Sequence, residues 1–128
     1  MTIKKELDAA RSSVAGCTVA AYGDASTRLM LRSSHHDNIR RENLDELCNE
    51  AARCFGLLDA TADLCNMLGD PGGPPNEAVV LTNRNSTVFV RSDKLSSEFL
   101  CLVCAAQGDH AAMSSAARQT LNKIAAAE

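Results

Sequence analysis

The sequence predicts an α+β domain in which one five-stranded antiparallel sheet carries helices on both faces. Two pairs of short apolar segments are each joined by a cluster of turn-forming residues, which is typical of β-hairpins. A further apolar segment, residues 99–105, is continuous rather than alternating, which indicates a central strand buried on both faces. Such a strand requires helices on both sides of its sheet.

The first part of the chain predicts a helix, a hairpin and a long helix. Apolar residues recur at helical spacing from Ile3 to Val14. Residues 17–22 and 27–32 are predicted to be the strands of the first hairpin, and the polar residues 33–38 a loop. Asp37 or Asn38 is positioned to cap a long helix over residues 39–68.

The second part predicts three strands and a closing helix. The Gly/Pro-rich residues 69–76 must end the long helix. Residues 78–82 and 87–91 form the second hairpin, and residues 99–105 the central strand. Asp109 caps a last helix that extends to about Ile124. The long helix is expected on one face of the sheet and the two terminal helices on the other, within one domain spanning residues 1–128.

Composition narrows the classes of function. A net charge of −3 with only 3% aromatic residues argues against nucleic-acid binding, which needs a basic face or stacking side chains. No apolar run approaches the roughly 20 residues of a membrane span. Residues 1–6 carry charges where a signal peptide has an apolar core, which favours a cytoplasmic protein.

The long helix carries more apolar surface than its own sheet requires. At about 100° per residue, one stripe would cover the sheet; it consists of Leu44, Leu47, Ala51, Phe55, Leu58, Ala62 and Cys65. A second stripe, displaced by roughly a quarter turn on that geometry, consists of Cys54, Leu57, Leu64 and Leu68. Apolar surface left in water is unusual for a monomer, so the second stripe predicts a twofold pair of chains.

The same helix is acidic. Residues 39–68 contain three arginines and six acids, a balance of −3 that equals the net charge of the whole chain. Glu42, Glu46 and Glu50 stand four residues apart, on one side of the helix. They could form an acidic surface that faces a partner, or simply a solvated helix face, which is the plainer interpretation.

Residue patterns associated with chemistry are weak. Cys101 and Cys104 form a CxxC spacing inside a predicted strand, where residues three apart point to opposite faces and cannot share a metal. The sequence His35-His36-Asp37 lacks a companion cluster. The pair Asp109-His110 resembles part of a triad with Ser114, but capping explains Asp109. No P-loop motif is present. We therefore predict no catalytic, cofactor-binding or metal-binding residues.

The order of elements resembles the Roadblock / dynein light chain family over residues 3–124. The resemblance is carried by residues 77–81, 87–90 and 99–104, and by Gly108-Asp109 before the last helix. Longin and profilin-like layouts are similar. The resemblance implies pairing of two copies through the long helix and the following strand, joining two sheets into one. The residues that it implies for this contact are Cys54, Leu57, Leu64, Leu68, Ala78, Val79, Val80 and Leu81.

Bacterial and archaeal members of that family often regulate or bind Ras-like small GTPases, and eukaryotic members serve as motor light chains or lysosomal scaffolds. The resemblance implies no catalytic residue. It predicts a cytoplasmic, non-enzymatic homodimer without a cofactor that binds or regulates a small GTPase. The six cysteines keep a thiol-based metal or redox protein open, and the layout keeps a profilin-like small-molecule sensor open.

Overall fold

The computed structural model describes residues 2–35, 39–69, 76–92, 97–106 and 109–127. Its elements, in chain order, are α1 (Ile3–Ser13), β1 (Cys17–Asp24), β2 (Leu29–His35), α2 (Arg41–Met67), β3 (Glu77–Leu81), β4 (Asn85–Arg91), β5 (Glu98–Ala105) and α3 (His110–Ala127). Asp37 and Asn38, the predicted caps, and the side chains of Ala62 and Cys65 lie outside what the structure describes. No described helix is long and apolar enough to cross a bilayer.

The five strands form one antiparallel sheet in the order β2-β1-β5-β4-β3. The predicted central position of β5 is confirmed, and residues 99–102 have no exposed surface. β3 lies at one edge and β2 at the other. Because β5 is the middle strand and is covered on both faces of the sheet, its apolar side chains pack into the interior on both sides.

Two cores form on opposite faces of the sheet, as predicted. The α2-face core contains all three phenylalanines of the chain, Phe55, Phe89 and Phe99, with ring centroids 6.1–6.5 Å apart. The terminal-helix core lies under α1 and α3 and contains Tyr22, the only tyrosine, which is 3% exposed and donates a hydrogen bond to Glu98. The sheet is therefore the middle of three layers.

The structure corrects the boundary of β2. The sequence predicts a loop from residue 33, but β2 continues to His35, and Ser34 is fully buried. Ser34 accepts a hydrogen bond from Nε of Arg11 at 2.9 Å and donates one to Asp8, both on α1. These partners satisfy a buried hydroxyl, which allows a polar residue to extend the strand beneath a helix. The bond from Ser34, followed by that from Lys4, lowers the pKa of Asp8.

α2 is longer than the sheet that it crosses. Its 27 residues extend about 40 Å, whereas the longest strands, β1 and β5 with eight residues each, extend about 26 Å. The helix begins beside Thr18, Asn85 and Val103 at one end of the strands. By Asp59 it has reached Arg91 at the other end. Residues 60–67 therefore extend past the sheet, and we call them the overhang.

Replacing Phe89 by Ala tests the α2-face core. Phe89 is fully buried between the rings of Phe55 and Phe99, so we expect a loss of about 3–5 kcal/mol in the free energy of unfolding. Urea denaturation followed by circular dichroism measures it. Leu29→Ala, at a side chain that is 52% exposed, is the control and should change stability by less than about 0.5 kcal/mol. Equal effects would contradict the packing described here.

Candidate functional site

Large apolar side chains are concentrated on the last turns of α2. Leu57, Leu64, Met67 and Leu68 are 56%, 53%, 82% and 76% exposed, and we call them the exposed flank. Three belong to the second stripe in the sequence, and Met67 was missed because it lies off that stripe. Leu64 and Met67 lie on the overhang and Leu68 directly follows it, so no strand lies beneath these three side chains. Leu57 precedes the overhang, and its exposure shows that it lies on a side of α2 that the sheet does not cover. Such a cluster is typical of a protein-interaction surface.

Cys54 does not belong to the exposed flank. It is 7% exposed and packs in the α2-face core, contrary to its place in the predicted second stripe. At about 100° per residue, Cys54 lies only about 60° from Ala51, which is fully buried. The sheet-facing stripe is thus wider than predicted and also includes Cys48.

The predicted contact residues of β3 divide between the two faces of the sheet. Ala78 lies opposite Phe89 and, with Val80, packs against the α2-face core. Val79 lies opposite Val88 of the terminal-helix core. Val79 and Leu81 therefore point to the other face, where they are 43% and 61% exposed. Within the described residues β3 pairs only with β4, so its outer edge offers main-chain hydrogen-bonding groups to another strand.

A buried arginine fixes α2 where it leaves the sheet. Arg91, at the end of β4, is 5% exposed, and its Nη2 lies 2.7 Å from Oδ1 of Asp59. Its guanidinium carbon lies 5.2 Å from the ring centroid of Phe55, and its Nε donates to Asn76 at 3.2 Å. Arg118 of α3 donates to the main-chain oxygens of Arg91 and Asn76, at 2.7 and 3.2 Å. These contacts connect Asp59, the residue directly before the overhang, to the sheet and to α3.

The predicted acidic row is not uniform. Glu50 accepts hydrogen bonds from the guanidinium of Arg53, including one of 3.2 Å from Nε, and this pairing raises the pKa of Arg53. Glu42 and Glu46 are exposed and have no ion-pair or hydrogen-bond partner among the described residues. Glu42 and Glu46 therefore differ from Glu50, which is paired with an arginine.

Glu42 and Glu46 line a cleft of about 430 Å³, which we call the α2 cleft. It lies between the first turns of α2 and the ends of β1, β4 and β5. Its floor is apolar, with Val19, Ile39, Leu47 and Val103 packed against or within the α2-face core. Sequence reasoning missed the cleft, because its walls come from four elements that are far apart in the chain.

The candidate triad is not assembled. Oδ1 of Asp109 accepts hydrogen bonds from the main-chain nitrogens of Ala111 and Ala112 at 3.1 and 3.2 Å, so it caps α3. His110 Nε2 lies 3.2 Å from the hydroxyl of Ser86, and no hydrogen bond joins it to Ser114 among the described residues. Ser86 is fully buried and donates to the carbonyl of Ala106 at 3.1 Å. The single proton of this hydroxyl is used in that bond, so a hydrogen bond with His110 requires an N–H at Nε2 of the imidazole.

The candidate metal ligands are also dispersed. His35 ends β2, while His36 and Asp37 lie outside the described residues. The sheet separates the two cysteines of the CxxC spacing, with Cys101 in the α2-face core and Cys104 in the terminal-helix core. In the described part of the chain, no three His, Cys, Asp or Glu side chains are grouped so that they could hold a metal.

The described thiols are poor nucleophiles. Burial raises the pKa of Cys17 to about 12 and that of Cys48 to about 11, and it also raises the pKa of Cys54, Cys101 and Cys104. Nucleophilic attack requires the thiolate, which is scarce near neutral pH at these values. Their position and pKa both fit side chains that pack as small apolar groups.

Thiol labelling tests this interpretation. In a Cys65→Ser variant, which leaves the five described thiols, we expect slow reaction with an aromatic disulfide reagent at pH 8, faster reaction at higher pH, and complete reaction in urea. At a pKa of about 11, roughly one thiol in a thousand is ionised at that pH. A thiol that reacts in the native protein as fast as in urea would restore the redox alternative.

No protein-family model matches the chain, and no curated protein is significantly similar to it. Solved structures do resemble it. A Roadblock/LC7 domain from Streptomyces avermitilis superposes with a TM-score of 0.74 at 12% identity, covering 94% of this chain and 92% of that one. MglB in a tetrameric arrangement gives 0.73 at 15% identity, covering 92% and 81%.

MglC from Myxococcus xanthus superposes with a TM-score of 0.61 at 19% identity, covering 100% of both chains. The order of elements, the antiparallel sheet and the placement of α2 opposite α1 and α3 therefore match solved roadblock structures over almost the whole chain. At these identities the likeness concerns the fold, and the chain has a roadblock-like fold.

Proposed function

We propose that residues 1–128 form one roadblock-like domain that works as a non-enzymatic homodimeric regulator or adaptor and binds a Ras-like small GTPase. The observation that carries the proposal is the exposed flank, which begins at Leu57 and continues along the overhang to Leu68. The sheet does not cover these apolar side chains, and a second copy of the chain would provide an apolar surface for them to pack against.

The contact combines two kinds of surface. Leu57, Leu64 and Leu68 would pack against the partner's α2, while β3 would pair with the partner's β3 along its open edge. Pairing of edge strands satisfies main-chain groups and joins two five-stranded sheets. Ala78 and Val80 lie on the α2 face of that joint, whereas Val79 and Leu81 lie on the opposite face.

The proposed partner follows from the family that the sequence resembles, whose bacterial and archaeal members often bind or regulate small GTPases. One of the solved structures of similar fold is MglB in a tetrameric arrangement, which supports assembly of several copies. The dimer would act by population shift: it binds one nucleotide state of the GTPase more tightly and so raises the fraction in that state.

Paired substitutions on the exposed flank test the dimer. We expect the native chain to sediment at micromolar concentration with twice its mass of 13.6 kDa, and the Leu57→Glu/Leu64→Glu variant to sediment as a monomer. Burying two carboxylates in an apolar contact is costly, whereas both side chains are exposed in the single chain, so circular dichroism should be unchanged.

Leu29→Glu is the matched control for the dimer. Leu29 is 52% exposed, close to the 56% of Leu57, but it lies on β2 at the opposite edge of the sheet. This variant should remain a dimer. A native chain that sediments as a monomer, or loss of pairing in the control as well, would overturn the proposed contact.

The GTPase partner has its own test. A Ras-like small GTPase encoded in the same genome is loaded with GDP or with a non-hydrolysable GTP analogue, and calorimetry measures its affinity for the dimer. We expect the two affinities to differ by about tenfold or more, within the usual range of coupling between sites. Equal affinities would contradict population control, and no binding to either form would contradict the choice of partner.

A further inference from the structure

We propose that the α2 cleft binds a peptide segment of a partner protein that carries aliphatic side chains flanked by lysine or arginine. The inference draws on the adaptor role only in that the segment belongs to another protein. It does not depend on dimer formation, because the cleft is at the opposite end of α2 from the exposed flank.

The floor of the cleft provides the apolar half of the recognition. Ile39, Leu47 and Val103 are half-buried, so each leaves part of its side chain open to the cleft above the α2-face core. Aliphatic side chains of a bound segment would remove that surface from water. At about 430 Å³ the cleft has room for a few such side chains.

The wall of the cleft provides the electrostatic half. Among the described acids at the start of α2, those outside the cleft are paired: Asp45 lies 3.7 Å from Nε of Arg41, and Glu50 is bound by Arg53. Glu42 and Glu46, inside it, have no such partner among the described residues. Glu42 also favours the start of the helix, but Glu46 lies beyond the first turn, where that benefit fades.

The spacing of the two carboxylates favours cations on a common backbone. Glu42 and Glu46 are four residues apart, so they stand one above the other on the helix, with Cβ atoms about 5–6 Å apart. Two basic side chains on adjacent turns of a peptide helix have the same separation. Complementary charge of this kind between two binding surfaces gives specificity and speeds association.

The openness of the cleft favours a peptide over a small organic cation. The polar residues at its rim, Thr18, Asn43 and Asn85, are all exposed. Pockets for small ligands usually enclose 70–90% of the ligand, as a rough guide, and an open cleft with an exposed rim cannot do so. The rim amides and hydroxyl can instead bond the main chain of a segment that continues past the cleft.

Fluorescence anisotropy with a synthetic probe tests the assignment. The probe is a labelled helical peptide with a leucine stripe flanked by arginines, and its matched partner has glutamate at each arginine position. We expect the basic peptide to bind the native chain and the acidic peptide not to bind. Glu42→Lys/Glu46→Lys should weaken binding by about tenfold or more.

Two further variants separate the cleft from general acidity. Asp45→Lys/Glu50→Lys changes the net charge equally on the same helix but outside the cleft, and it should weaken binding by less than about threefold. Thr18→Trp fills the cleft from its exposed rim without changing charge, and it should abolish binding. Circular dichroism should confirm that each variant is folded, since every substituted residue is at the surface or only half-buried.

Several outcomes would overturn the proposal. Equal losses in the two charge-reversed variants would indicate non-specific attraction, and equal binding of the acidic peptide would remove the electrostatic argument. Displacement of the peptide by spermidine at matching affinity would assign the cleft to a small cation. The monomeric Leu57→Glu/Leu64→Glu variant should bind the peptide as the native chain does, which distinguishes failure of the cleft from failure of the dimer.

Discussion

The length of α2 relative to the strands is the constraint on which the rest of the structure depends. The strands end after about 26 Å, so a helix of 27 residues cannot be covered along its whole length. Its middle turns bury Ala51 and Phe55 in the α2-face core. Its first turns leave the α2 cleft above the ends of three strands, and its last turns form the overhang. One helix thus presents two different surfaces at its two ends.

The Arg91 cluster determines where the covered part of α2 ends. A buried guanidinium needs full compensation, which Asp59, Asn76 and the ring of Phe55 supply. The same side chain brings together β4, the entry to β3 and the base of the overhang, and Arg118 adds α3. The orientation of the exposed flank relative to β3 is therefore fixed within one chain, as the proposed two-part contact requires.

The fold was predictable from sequence because its strongest signals are local. The continuous apolar residues of β5 predicted its central position, and the Gly/Pro-rich segment after α2 separated the helix from β3. The sequence did not show which face of the sheet each β3 side chain lies on. Alternation along the strand places Val79 and Val80 on opposite faces, but which of them lies on the α2 face depends on the register with β4. The assignment of Cys54 to the second stripe was wrong because a helix that crosses several strands buries a wider stripe than the sequence analysis assumed.

The α2 cleft and the Arg91 cluster could not be predicted, for a different reason. In the sequence, Arg91 is an ordinary basic residue at the end of a predicted strand. Its ion pair with Asp59, 32 positions earlier in the chain, is visible only in the folded structure. The extension of β2 through Ser34 likewise depends on Asp8 and Arg11 of α1. Buried polar groups are satisfied by partners that are distant in sequence, so residue patterns say little about them.

The placement of Tyr22 has a consequence for optical work on this protein. The chain has no tryptophan, and its single tyrosine lies in the terminal-helix core, while the three phenylalanines lie on the other side of the sheet. Intrinsic tyrosine emission therefore senses one layer of packing only, whereas far-ultraviolet ellipticity senses all helices. Coincident transitions from the two signals would mean that both layers melt as one cooperative unit.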